Sequence, residues 1–115
     1  MDMKLRPVIS VRVFREEKCF GPGIAELLHN VKTQHSLRAA AAQMGMAYSK
    51  AWTILKNSES ALGFALLHST TGGKNGGGAA LTAEAEQLLQ AYDDYCSELT
   101  AYGARLFEEK FKQFP

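Results

Sequence analysis

Between the apolar run Phe64-Ala65-Leu66-Leu67 and Leu81-Thr82 the chain carries Thr70-Thr71-Gly72-Gly73-Lys74-Asn75-Gly76-Gly77-Gly78-Ala79. Five of the nine residues from Thr70 to Gly78 are glycine, and Lys74 is the only charge among them. Ordering such a loop costs a large backbone entropy. It is kept where backbone must approach something closely or where a tip must stay mobile. One lysine at its centre points to an anion, either a nucleotide phosphate or a DNA backbone. A nucleotide loop needs Gly-Lys followed by Ser or Thr, because that hydroxyl holds magnesium; here Asn75 follows Lys74. Such a loop also runs straight into a helix whose N–H groups face the phosphates, whereas Ala79-Ala80-Leu81 reads as a short extended segment. The remaining readings are a flexible hairpin and a glycine-rich wing resting on DNA, and the wing is preferred.

A chain of 115 residues suits one domain with a real core. The N-terminal Met1-Asp2-Met3-Lys4-Leu5-Arg6 lacks the apolar stretch of a secretory signal. No apolar run approaches membrane-spanning length. Cys19 and Cys96 match no metal or redox spacing, so free thiols and a cytoplasmic location are expected, with no metal and no cofactor. The net charge of +1 is unevenly placed. Residues 31–80 hold Lys32, Arg38, Lys50, Lys56 and Lys74 against Glu59 alone, whereas residues 81–115 carry seven acids and three bases. The basic middle reads as a polyanion-facing side and the acidic end should point away from it.

Val8 to Phe14 is β-branched and alternates at Ile9, Val11 and Val13, which predicts a half-buried strand. A polar turn, Arg15 to Lys18, leads to a short return strand at Cys19-Phe20. Ile24, Leu27, Leu28 and Val31 follow the spacing of an amphipathic helix. His29 and His35 flank it in surface or capping roles. Ser36 is a good N-cap for a second helix, Leu37 to Met44. Its alanines favour helix and permit close approach. Gly45 ends it. A third helix runs from Tyr48 to Leu62, with Ala51, Trp52, Ile54, Leu55 and Leu62 as its apolar positions, and Gly63 stops it. Trp52 is expected in the core, the alternative being a base-stacking aromatic. His68, near the wing base, reads as either a phosphate contact or a cross-strand packing residue.

The second and third helices form a helix-turn-helix. Tyr48, Ser49, Lys50 and Thr53, then Lys56 and Asn57, remain exposed on the third helix, the polar and basic set that a recognition helix presents to a major groove. Thr82 caps a final helix whose first turns contain Glu84 and Glu86, favourable to the helix dipole. Ala85, Leu88, Tyr92, Tyr95, Leu99, Tyr102 and Leu106 recur at steps of three and four, a heptad seam. A helix of about 30 residues spans roughly 45 Å, too long to bury wholly on so small a domain, so the seam predicts a partner helix. Gly103 weakens its end, and the pattern then slips to Phe107, Phe111 and Phe114, which are expected to pack elsewhere or to fray.

Phe20-Gly21-Pro22-Gly23, Ser36 with Ala40-Ala41 and Met44-Gly45-Met46, Tyr48 with Ala51-Trp52, and above all Thr70 to Ala79 through Leu81-Thr82 resemble the N-terminal DNA-binding domain of the ModE-type, molybdate-responsive regulators, related to the LysR-type winged helices. The likeness covers nearly the whole chain. It implies that Tyr48, Ser49, Lys50 and Thr53 lie on the recognition helix, that Thr71, Gly72, Gly73, Lys74, Asn75 and Gly76 form the wing beside the DNA backbone, and that the long helix dimerises. Ala47 stands where such proteins often have Ser, and Asn75 interrupts a common Gly-Lys-Gly. Full-length members of the molybdate-responsive type add C-terminal oxyanion-binding domains; none is expected in this chain.

The expected fold is therefore mainly α with a small β component: a winged helix-turn-helix with N-terminal strands over residues 1–81, and a dimerisation helix over 82–115. The expected function is a homodimeric regulator, not an enzyme, bound to double-stranded DNA at a palindromic operator. Ser36, Arg38 and Lys56 join the recognition helix and wing as DNA contacts. A winged helix given over to a protein partner is the alternative, favoured by the low net charge.

Overall fold

A computed structural model describes residues 4–70 and 77–115. In chain order the elements are β1 (Val13–Phe14), β2 (Lys18–Phe20), α1 (Pro22–Gln34), α2 (Leu37–Gln43), α3 (Tyr48–Leu62), β3 (Leu67–Thr70), β4 (Gly78–Leu81) and α4 (Ala83–Phe111). The strands form two separate antiparallel hairpins, β1–β2 and β3–β4. Three helices, a following hairpin and a long last helix make this a winged helix-turn-helix.

Local chemistry sets the element ends. Pro22 opens α1 in its first turn, where a missing N–H costs nothing. His35 closes α1 in the left-handed region at φ 59°, and its carbonyl accepts the Ala79 N–H at 2.9 Å, which ties β4 to the end of α1. Ser36 Oγ accepts the Ala39 N–H at 3.1 Å. Gly45 (φ 64°) and Gly63 (φ 87°) make the two turns that an L side chain would strain. Arg15 donates to the Leu62 carbonyl at 3.1 Å, so a residue of the expected polar turn in fact completes the C-terminus of α3. Thr82 Oγ1 accepts the Ala85 N–H at 3.1 Å and caps α4.

The core joins all four helices. Leu27, Leu28 and Val31 of α1, Ala40 and Ala41 of α2, Ala51 of α3 and Leu66 before the wing are fully buried. The alanines leave room for α2 to lie close against its neighbours. Ser58 is the one buried polar residue among those described, and its hydroxyl donates to the Cys19 carbonyl.

The expected strand over Val8 to Phe14 is corrected. Only Val13–Phe14 pairs, and both residues are exposed. The segment before them has no neighbouring strand and instead lies along α4. Tyr92 Oη donates to the Val11 carbonyl at 2.8 Å, and a Cβ on Gly103 would come within 2.6 Å of Ile9 Cδ1. Gly103 thus gives the arm room to cross the helix rather than merely weakening it. At the far end Phe107 and Phe111 stack at 4.4 Å, with Phe114 at 6.2 Å from Phe111.

Burial, then a hydrogen bond and charge interaction with Cys96, push the Tyr92 phenol from 10.0 up to about 12. A phenol whose folded value is raised contributes stability that is whole below the unfolded value and is lost as pH climbs through the folded one. Urea midpoints should therefore fall between pH 10 and about 12. Tyr92→Phe should lose about 1 kcal/mol at neutral pH with its hydrogen bond and show a shallower alkaline decline; an identical decline would contradict the assignment.

Candidate nucleic-acid interface

Ala51, Leu55, Ser58 and Leu62 form the buried stripe of α3. At 100° per residue, Thr53 and Ser49 fall on the opposite side, with Lys56 beside them and Tyr48 and Trp52 on the flank toward the wing. The flank and the base of the wing enclose an open groove of about 390 Å³, lined by Ser36, Arg38, Tyr48, Trp52, Lys56 and His68 among others. Two elements of the helix-turn-helix and the β3–β4 hairpin therefore share one surface.

The predicted contacts within the described residues take up definite states. The Ser36 hydroxyl oxygen is engaged as a cap, leaving its proton to donate outward. Thr53 Oγ1 donates to the Ser49 carbonyl at 3.0 Å, so outwardly its hydroxyl can only accept. The Arg38 guanidinium sits 4.2 Å over the Tyr48 ring. Lys50 is exposed, and no ion pair among the described residues claims it. Lys56 lies 5.5 Å from the Trp52 ring centre and 3.2 Å from Glu59 Oε1. His68 is exposed on β3 and its Nδ1 lies 3.2 Å from the Ser69 carbonyl. Lys32, counted in the basic middle, instead pairs with Glu86 of α4 at 3.2 Å. Thr71, Gly72, Gly73, Lys74, Asn75 and Gly76 lie outside the described residues.

Two expectations are corrected. Trp52 is 47% exposed, not in the core. Its neighbours Ala51 and Leu55 are apolar, but it lies about 100° from the stripe they share with Ser58 and Leu62; the helical period was the available signal. On α4, Ala85 and Tyr92 are buried in the chain's own core together with Leu89, a residue outside the expected seam. Leu88 and Leu99 are half-buried. Tyr95 (59%), Tyr102 (56%) and Leu106 (37%) remain exposed.

Sequence reasoning missed Glu59, the only acid between residues 31 and 80. Its Oε2 accepts the Leu66 N–H at 2.7 Å, fixing the chain as it enters the wing, while Oε1 holds Lys56. A lone acid in a basic stretch was the visible clue. Glu59→Gln keeps an acceptor for Leu66 and releases Lys56. Non-specific DNA affinity should rise a few-fold, and the log–log salt slope should steepen by up to about 0.9. An unchanged slope would mean that Lys56 faces no phosphate.

Residues 25–86, from α1 through the wing to the first turn of α4, match the family described as bacterial regulatory helix-turn-helix protein, lysR family. The chain is 42% identical over 72 residues to the transcriptional regulator ModE of Haemophilus influenzae, an overlap of 63% of this chain and 28% of that protein. It is 33% identical over 79 residues to the DNA-binding transcriptional dual regulator ModE of Escherichia coli K12, covering 68% of this chain and 30% of that one. Against the molybdenum-pterin-binding protein MopB of Rhodobacter capsulatus it is 36% identical over 66 residues, 57% of this chain and 24% of the relative. The chain thus spans less than a third of the length of these relatives. A lysR-family match over more than half its length, joined to the winged helix-turn-helix described above, places the chain in the lysR family of bacterial regulatory helix-turn-helix proteins, as a domain of the ModE type.

Proposed function

We propose that this protein is a sequence-specific transcriptional regulator of the bacterial cytoplasm that binds a palindromic operator as a homodimer. The observation that carries the reading is the groove between α3 and the wing base, lined by Arg38, Tyr48, Trp52 and Lys56 among others, with Ser49, Lys50 and Thr53 exposed on the rest of the outer side of α3. Ser49 and Thr53 meet base edges; Lys50, Arg38 and, once freed from Glu59, Lys56 meet phosphates, with Ser36 donating to the backbone. Lys74 and the glycines around it approach the adjacent phosphates. Among the described residues no helix is long and apolar enough to cross a membrane.

Dimerisation is supported by Tyr95, Tyr102 and Leu106, which leave an exposed apolar strip along α4 beyond the core, with exposed Phe14 lining the same hollow as Tyr95. In a second copy of the chain such a strip finds a self-complementary partner. Two recognition helices would then sit about 34 Å apart along DNA, or a multiple of that. The test is selection of bound fragments from random duplex DNA, followed by footprinting. Two-fold-related protected half-sites at that spacing are expected; a single unpaired half-site, or no enriched sequence, would contradict the proposal.

A further inference from the structure

Trp52 is the only tryptophan in the chain, and almost half of it is exposed. The folding of α3 does not need it, because Ala51, Leu55, Ser58 and Leu62 already form the buried stripe. Tyr48, one turn earlier, is 38% exposed and shares its flank. Both rings lie within the first two turns of α3, the part of a recognition helix that reaches base edges. Both rings also carry a cation, Lys56 near Trp52 and Arg38 over Tyr48. These contacts favour one placement of each ring before any ligand arrives, so less side-chain freedom is lost on binding.

An indole donates one hydrogen bond and accepts none; the rest of its surface is carbon. The apolar group on the base edges of a major groove is the thymine C5-methyl. We infer that Trp52, flanked by Tyr48, is a specificity-determining contact that packs on a thymine methyl in each operator half-site. The inference rests on the proposal that α3 enters a major groove, and it goes further by naming the base and the group that is read.

The test uses the full chain and the operator obtained by selection. Each thymine is replaced singly by uracil, which removes only the methyl group. Wild type should lose about tenfold in affinity at one symmetry-related thymine per half-site. Trp52→Ala should bind the natural operator about as weakly as wild type binds that uracil operator, and should not respond to the same replacement. Trp52→Phe, which keeps an aromatic face, should retain part of the response and serves if the alanine variant unfolds. The emission of Trp52 should shift to the blue on the operator and much less on its uracil form. Equal losses on operator and shuffled DNA would place the ring against the sugar-phosphate backbone and overturn the inference. So would a uracil effect of the same size in wild type and Trp52→Ala. Failure of the wild type to prefer any DNA sequence would instead remove the proposed function, and this inference with it.

Discussion

Phe20→Ala should remove about 3–5 kcal/mol of folding stability. Phe20 is 1% exposed at the end of β2, and its ring meets Tyr92 of α4 edge-on, with centroids 5.0 Å apart at 73°. That contact joins the N-terminal hairpin to the base of the long helix. Truncation leaves a cavity at the junction and strips Tyr92 of its partner. A domain of this size has only about 5–15 kcal/mol in hand, so the variant should be largely unfolded at modest urea concentration. Phe20→Leu, which refills most of the space, should cost much less. Urea unfolding followed by circular dichroism measures both; a loss below about 1 kcal/mol for the alanine variant would contradict the central place given to this ring.

Tyr102→Asp should split the proposed dimer and weaken binding to the proposed operator by at least about a hundredfold. Tyr102 is 56% exposed, so an aspartate there disturbs no core packing, but at the proposed two-fold interface it would bury two carboxylates in an apolar strip. Separated protomers lose the second half-site as a linked contact, and linkage commonly contributes two to four orders of magnitude in affinity. Light scattering should report half the wild-type mass while the circular dichroism spectrum stays unchanged. A full dimer mass would refute the assignment of the strip. Halved mass with undiminished operator affinity would refute the two-fold reading of the DNA.

Much of the architecture was legible because regular periods and special residues both point the same way. Ile24, Leu27, Leu28 and Val31 marked the buried face of α1, and all are buried. Gly45 and Gly63 marked the ends of their helices, and the backbone turns there at positive φ; Thr82 caps α4 as its hydroxyl foretold. The misreadings share a cause: a local pattern was consistent with two partners, and only tertiary packing chose between them. Alternation from Val8 to Val13 suits a strand, yet nothing pairs with most of it and the arm uses α4 instead. The heptad on α4 suits a helical partner, yet Ala85 and Tyr92 are buried in the chain's own core, Tyr92 against Phe20. Trp52 looked apolar and therefore internal, although its helical angle sets it apart from Ala51. The structural roles of Glu59 and Arg15 were hidden because their partners, the Leu66 N–H and the Leu62 carbonyl, are backbone groups that only the folded chain brings to them.

The measurement that bears most directly on the whole account is fluorescence anisotropy of the protein on DNA upstream of its own gene and on a shuffled control, across a salt series. Tighter binding to the upstream DNA is predicted, with a steep negative log–log salt slope of about −0.9 for each phosphate contacted. No binding to either DNA at low salt, or binding indifferent to salt, would contradict a DNA-binding regulator and leave the α3–wing surface to a protein partner.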